Sequence, residues 1–237
     1  LGRDYDLEST TADQAYNGGT PLPVAIKAVA ETRGVAITWQ GRLLRAYYSG
    51  TGGGRPASAA DIWPTGPGYE FNLDLPIQAA HRETMCQASP RYRWEAVRDR
   101  AELSRRIAAW GKANGNPIGG MGLLSVVRVV GINSDERPNK YTVEDDRKRV
   151  YPIDCEQLRQ ACSQTVNGLA EIPKEQKVWA SDMEFEVKGQ SVVIHGRGFG
   201  HGVGMCQFCT KGFADRGDPW KDIVLRYYPG AKLERAY

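Results

Sequence analysis

Gly196-Arg197-Gly198-Phe199-Gly200-His201-Gly202-Val203-Gly204-Met205-Cys206-Gln207 places five glycines at every second position, with a histidine between the third and fourth. Each glycine forfeits a side chain and costs backbone entropy, so packing alone does not account for five of them. The gain is a backbone free to take positive φ and to let another group come close. His201 is the one imidazole in the run, and its glycine neighbours predict few packing partners for it. It is therefore the group best placed for chemistry or for orienting a ligand. A dinucleotide fingerprint is excluded because the third glycine is misplaced in every register, and the phosphate-loop Gly-Lys-Ser/Thr is absent. A glycine-rich turn packed against the core remains the alternative reading.

Working outward, Phe185–Val187 and Ser191–His195 flank the turn Lys188-Gly189-Gln190, so a hairpin feeds directly into the glycine run. Val35–Trp39 and Leu43–Tyr48 flank Gln40-Gly41 in the same way. Leu123–Ile132 reads as a β-branched strand, with shorter ones at Tyr141–Val143 and Arg149–Ile153. Helices are predicted at Val24–Glu31, across Trp94–Ala109, over Cys155–Ser163 behind an Asp154 cap, and at Pro219–Tyr227 before Pro229-Gly230. Gly50–Pro67 is a long glycine- and proline-rich loop. Hairpins outnumber strand–helix–strand alternations, so the fold class is α+β, mainly antiparallel strands and hairpins with several short helices.

The 237 residues suffice for a substantial core. Lys and Arg total 31 against 28 Asp and Glu, and a net charge of +3 argues against nucleic acid as an obligatory partner. No apolar run reaches the length of a membrane span. Five cysteines are an odd number, so at least one lacks an intramolecular disulfide partner. Cys155 and Cys162 share a helix face about 10 Å apart, too far for a mutual bond, and read as buried free thiols. Cys206-Gln207-Phe208-Cys209 is a lone C-x-x-C, a weak signal for zinc or for thiol redox chemistry. The redox reading needs a helix start at that motif, and none is evident from the residues.

The glycine run resembles the signature of the SpoIID/LytB family, Gly-x-Gly-x-Gly-His-Gly-Val-Gly-Met-(Ser/Cys)-Gln, with Tyr227-Tyr228-Pro229-Gly230 as its later companion. Upstream, Ala28–Trp39 is similar to the family's Ala-Val-x-x-Thr-x-Gly stretch. Tyr48-Ser49-Gly50-Thr51-Gly52-Gly53 resembles its Ser-x-x-Gly-Gly block, and Ser89-Pro90-Arg91-Tyr92-Arg93-Trp94 its Ser-Pro-x-Tyr-x-Trp. The order of the blocks is kept over most of the chain.

The resemblance implies a SpoIID-like domain over residues 1–237 that acts outside the cytoplasm, at the bacterial wall. Catalytic relatives are lytic transglycosylases of peptidoglycan glycan strands stripped of stem peptides. The C6 hydroxyl of N-acetylmuramic acid attacks its own C1 and leaves a 1,6-anhydro end. The sugar supplies the nucleophile, so one carboxylic acid can replace the usual pair. In the family that acid is a glutamate N-terminal to the region matching Tyr5-Asp6-Leu7, so the domain is expected to lack its catalytic-glutamate segment. The remaining candidates are supporting groups: His201 at the catalytic centre, and Ser49, Thr51, Tyr92, Trp94 and Gln207 for substrate. Ser49 and Thr51 can equally cap a turn, and Tyr92 and Trp94 can equally pack in the core. The alternative function is a non-catalytic wall-binding module or amidase enhancer of the LytB type, with a cell-wall amidase as partner. No cofactor is expected. Some relatives hold zinc in the stretch matching Asp6–Tyr16, which here has neither cysteine nor histidine. His81 with Cys86, joined by Cys206 or Cys209, is a second and weaker zinc set.

Overall fold

The computed structural model describes residues 18–19, 22–80 and 83–236. The expectations for Tyr5–Leu7, for Asp6–Tyr16 and for His81 lie outside the described residues. The chain divides into two compact units, Leu1–Ala36 with Leu233–Tyr237, and Ile37–Lys232.

In chain order the elements are α1 (Pro23–Glu31), β1 (Val35–Trp39), β2 (Arg42–Leu43), β3 (Tyr48–Ser49), α2 (Ala59–Ile62), β4 (Arg93–Asp99), α3 (Arg100–Ala113), β5 (Leu124–Ile132), β6 (Pro138–Asp145), β7 (Val150–Asp154), α4 (Cys155–Cys162), β8 (Asp182–Lys188), β9 (Ser191–Arg197), β10 (Met205–Cys206), α5 (Gln207–Asp215), α6 (Trp220–Tyr227) and β11 (Lys232–Arg235). This is an α+β chain with small, mostly antiparallel sheets, as the hairpin count implied. No described helix is long and apolar enough to cross a membrane.

Two antiparallel sheets, β4-β9-β8 and β5-β6-β7, build the larger core of the second unit together with α3 and α4. Leu103, Ile107, Leu124, Val143, Leu158 and Ile194 are buried there. A smaller core gathers Leu44, Val203, Cys206, Phe213, Ile223 and Tyr228 under α5 and α6. The glycine-rich loop leaves β9 in the first core and enters β10 in the second. Its position is therefore that of a connector between two packed regions of one unit.

Local signals account for most boundaries. Gln40 and Gly41 take φ of 51° and 77°, and the two-residue turn sets Trp39 opposite Arg42. The Asp154 N–H donates to Gln157 Oε1 at 3.3 Å, the backward half of a capping box at the start of α4.

Three expectations are corrected. The helix expected across Trp94–Ala109 starts only at Arg100, because Arg93–Asp99 is a strand with alternate residues buried. Arg98 hides that alternation: it is 1% exposed and faces inward beside Trp94 and Ala96. Its Nη1 and Nη2 donate to the Cys162 and Gln176 carbonyls and to Glu102, which pairs the charge in the core and leaves Nε without a partner. Asp99 then caps α3 by accepting from the Glu102 N–H at 2.7 Å. The strand expected at Leu43–Tyr48 is split into β2 and β3, since the Tyr47 N–H turns back to the Arg45 carbonyl at 3.0 Å. Finally, α5 begins directly at the C-x-x-C motif, with Cys206 as its N-cap.

Candidate functional site

The glycine run is zipped along the segment around Ser49–Ala57. Strand β10 pairs in parallel with β3, setting Met205 opposite Tyr48 and Cys206 opposite Ser49. Thr51 and Phe199 exchange both backbone hydrogen bonds, at 3.1 and 2.8 Å. The Ala57 N–H reaches the Gly202 carbonyl at 3.0 Å, and the Gly200 N–H reaches that of Trp179 at 2.9 Å. Gly198, Gly200, Gly202 and Gly204 all take positive φ. At Gly198 a Cβ would stand 2.5 Å from the Thr51 carbonyl oxygen. At Gly198 and Gly204 the glycines permit a close approach of backbone to backbone, whereas Gly202 makes room for the Arg137 guanidinium. Gly196 serves differently: it lies flat in β9, and a Cβ there would overlap the Trp94 ring.

Three charged side chains fasten the loop from the other side. Asp182, 1% exposed, accepts from Arg55 Nε at 3.0 Å and pairs with its Nη2. Arg137, 2% exposed, donates to the Arg55 carbonyl at 2.9 Å and to the His201 carbonyl at 3.3 Å. Sequence reasoning missed all three. Arginines and aspartates are ordinarily solvated, and their burial here follows from pairing across segments far apart in the chain.

His201 has more neighbours than its glycine frame implied. Its ring lies 4.9 Å from that of Trp63 and 6.1 Å from that of Tyr47, which itself stacks on Trp63 at 4.0 Å. Nδ1 accepts from the Val203 N–H at 3.1 Å, so the proton of the neutral ring sits on Nε2. Burial holds its pKa down to about 4, against the opposing pull of a hydrogen bond to the Tyr48 backbone. At neutral pH the ring is an uncharged clamp on the loop.

The other candidates separate into buried and exposed groups. Ser49 and Thr51 are 5% and 3% exposed, and the Thr51 hydroxyl is 2.8 Å from that of buried Ser89. They hold backbone segments together and do not face solvent. Trp94 is also internal: its indole N–H donates to the Gly198 carbonyl at 2.8 Å and Gly196 abuts its ring, leaving no open face for a sugar. Tyr92 is half-buried under the Arg93 guanidinium, 4.1 Å away. Gln207 is exposed at the first turn of α5.

An exposed aromatic in the run was overlooked. Phe199 is 46% exposed, lies over Gly50 and meets Trp179 edge-on at 5.4 Å. Both rings line a cavity of about 510 Å³ with Lys177, Glu171 and Arg159 on its walls, and Arg91 stacks on Trp179 at 4.0 Å. The Gly50 carbonyl accepts from the Phe208 N–H at 3.1 Å, which sets Gln207 close to the Phe199 side of the loop. The signal available in the sequence was that Phe199 is the one large apolar ring among the glycines.

Beneath the loop, the sulfurs of Cys86, Cys206 and Cys209 all lie within 4.8 Å of one another. The Cys206 sulfur accepts from the Gly52 and Cys209 N–H groups, each at 3.3 Å. The Cys209 and Cys86 thiols also hydrogen-bond to it and lower its pKa, while theirs are raised in return. These three are the groups able to hold a soft metal ion among the described residues. Cys155 and Cys162 stay apart as buried free thiols, pushed up to about 11 and about 12 by desolvation. Among described carboxylates with displaced pKa values, Glu102, Glu144, Asp145 and Asp218 all move downward. None of these can serve as a proton donor near neutral pH.

The site is thus a rigid glycine-rich connector with an aromatic outer edge and a thiol cluster below. Along nearly its whole length the chain is similar to proteins named amidase enhancer and stage II sporulation protein D. It is 24% identical to the amidase enhancer of Bacillus subtilis strain 168, over 96% of this chain and 35% of that protein. It is 23% identical to stage II sporulation protein D of the same strain, over 98% of this chain and 58% of that protein. An uncharacterized protein of Brachyspira hyodysenteriae is 24% identical over 97% of this chain and 54% of its own length. The chain therefore spans between about a third and three-fifths of these relatives. No protein-family model matches it.

Proposed function

We propose that the chain is a peptidoglycan lytic transglycosylase-type domain that holds denuded glycan strands outside the cytoplasm, along the outer edge of the glycine-rich loop. The observation that carries this reading is the exposed Phe199, edge-on to Trp179 at the mouth of the 510 Å³ cavity. Sugar rings present flat C–H faces that suit aromatic walls, and polar groups nearby fix their hydroxyls. Lys177, Glu171 and Arg159 on the cavity walls supply such groups. His201 acts through the loop, by holding the backbone that carries Phe199. Cleavage needs an acid to protonate the leaving oxygen, the part a glutamate plays in the family, while the C6 hydroxyl of the muramic acid attacks C1 and passes its proton to the resulting carboxylate. The second reading is a wall-binding module or amidase enhancer with an amidase as partner. Similarity to a protein named amidase enhancer supports it.

The test is co-sedimentation with denuded glycan strands, followed by mass spectrometry of the digests for 1,6-anhydro ends. Removing one aromatic wall, Phe199→Ala or Trp179→Ala, costs about 1 kcal/mol, a loss of roughly fivefold in affinity. Binding with anhydro product, from the chain alone or with a segment carrying the family's glutamate supplied, supports the transglycosylase; binding without product under both conditions supports the module. Absence of glycan binding, or binding indifferent to both substitutions, overturns the reading of this surface.

A further inference from the structure

We propose that Cys86, Cys206 and Cys209 bind a zinc ion that staples the glycine-rich loop to the segment preceding β4. The inference is independent of the glycan reading, because it rests on a different set of side chains.

Three thiols converge from two regions of the chain. Cys86 comes from the irregular stretch ahead of Ser89, and the other two from the junction of β10 and α5. Their sulfurs lie within 4.8 Å of one another. Tetrahedral zinc at about 2.3 Å from each sulfur needs them about 3.8 Å apart, a side-chain adjustment of less than an ångström or so. All three residues are buried. The backbone already directs N–H groups from Gly52 and Cys209 at the Cys206 sulfur, the kind of outer hydrogen bond that steadies a metal-bound thiolate.

The fourth position has a place as well. A cavity of about 30 Å³ adjoins the cluster, lined by Gly52, Gly54, Arg55, Glu83 and the three cysteines. That space is enough to admit at least one water molecule. Three thiolates and one water leave the zinc site with one net negative charge, part of which the Gly52 and Cys209 N–H groups on the Cys206 sulfur offset. Glu83, on the same wall, is already paired with Arg216 and Arg226.

A disulfide fits less well. Any pair among the three leaves the third thiol unused inside the same buried cluster, and burial denies a partner dithiol the access that exchange requires. Three soft sulfur donors select zinc over magnesium or calcium. On binding, zinc replaces whatever protons the three sulfurs carry and releases them to solvent; no atom is oxidised or reduced.

The experiment uses the whole chain, purified under reducing conditions with zinc supplied. Elemental analysis should give about one zinc per chain. Cobalt substituted for zinc should show thiolate-to-metal charge transfer and the d–d bands of a tetrahedral site. This readout needs no variant, so it holds even where a substitution fails to fold. Cys206→Ser and Cys209→Ser should each bring the metal content well below stoichiometric, while Cys162→Ala should leave it unchanged. Three results would each overturn the proposal. One is a chain without metal after zinc reconstitution; another is a cobalt spectrum lacking sulfur ligation. The third is a Cys206–Cys209 disulfide in the folded, zinc-supplied protein.

Discussion

Protonation of His201 offers the sharpest test of the loop's architecture. The ring is packed against Trp63 and Tyr47, with Nδ1 occupied by the Val203 N–H. Its folded pKa is about 4, below the ordinary 6.5 of an imidazole in an unfolded chain. Between these values the unfolded chain binds a proton that the native state refuses. Stability from this residue is therefore complete above about pH 7, falls as the pH drops through 6.5, and is lost by about pH 4. At about 1.4 kcal/mol for each tenfold in proton affinity, the whole loss is about 3 kcal/mol. Arg137 lies near and opposes a second positive charge, whereas Glu156 favours it.

Acidic groups whose pKa values are lowered, such as Asp145, also lose stability in acid, so the effect must be isolated by difference. The assay is urea unfolding of the native chain and of His201→Gln at a series of pH values from about 7.5 to 4.5. Glutamine keeps a hydrogen-bonding side chain but cannot titrate. The gap between the two proteins should shrink by about 2–3 kcal/mol across that range. Parallel curves, or the His201 imidazole titrating near 6.5 by NMR, would refute the account of a buried neutral clamp.

Two further outcomes follow from the packing around the same loop. Gly196→Ala forces the Trp94 ring off its seat and strains its hydrogen bond to Gly198, costing about 2–4 kcal/mol in denaturant unfolding. The same substitution in a Trp94→Phe background should cost markedly less, because the overlapped atoms are gone; equal costs would show that the ring is not the obstacle. Cys155 and Cys162, with thiols pushed up to about 11 and about 12, should resist iodoacetamide at pH 8 in the native state and react fully once unfolded. Rapid native labelling, read by mass spectrometry, would contradict their burial.

Much of the chain's local structure was legible in its residues. The turn at Gln40-Gly41, the hairpin into the glycine run, the Asp154 cap and the stop at Pro229-Gly230 each depend on neighbours in sequence. Such signals are set by backbone sterics and short-range hydrogen bonds, and tertiary context left them intact. The separation of Cys155 from Cys162 was legible for the same reason, being a matter of helical rise. The order of the family-like blocks was also a property of the sequence alone.

Tertiary structure decided what the candidate residues are for. Trp94, Ser49 and Thr51 carry the chemistry of a sugar-binding surface, but burial assigns them to the interior. Arg98 looked like the solvated face of a helix and instead points into the core from a strand, since Glu102 pairs its charge and two carbonyls accept from it. Phe199 became the outward ring because the glycines on either side of it press their backbone against Thr51 and Trp179. The thiol cluster depends on bringing Cys86 beside a motif far along the chain. Sequence determines which groups are available and how the backbone turns locally. Which of them meet, and which face water, is set by long-range packing, where the burial of one side chain depends on all the others.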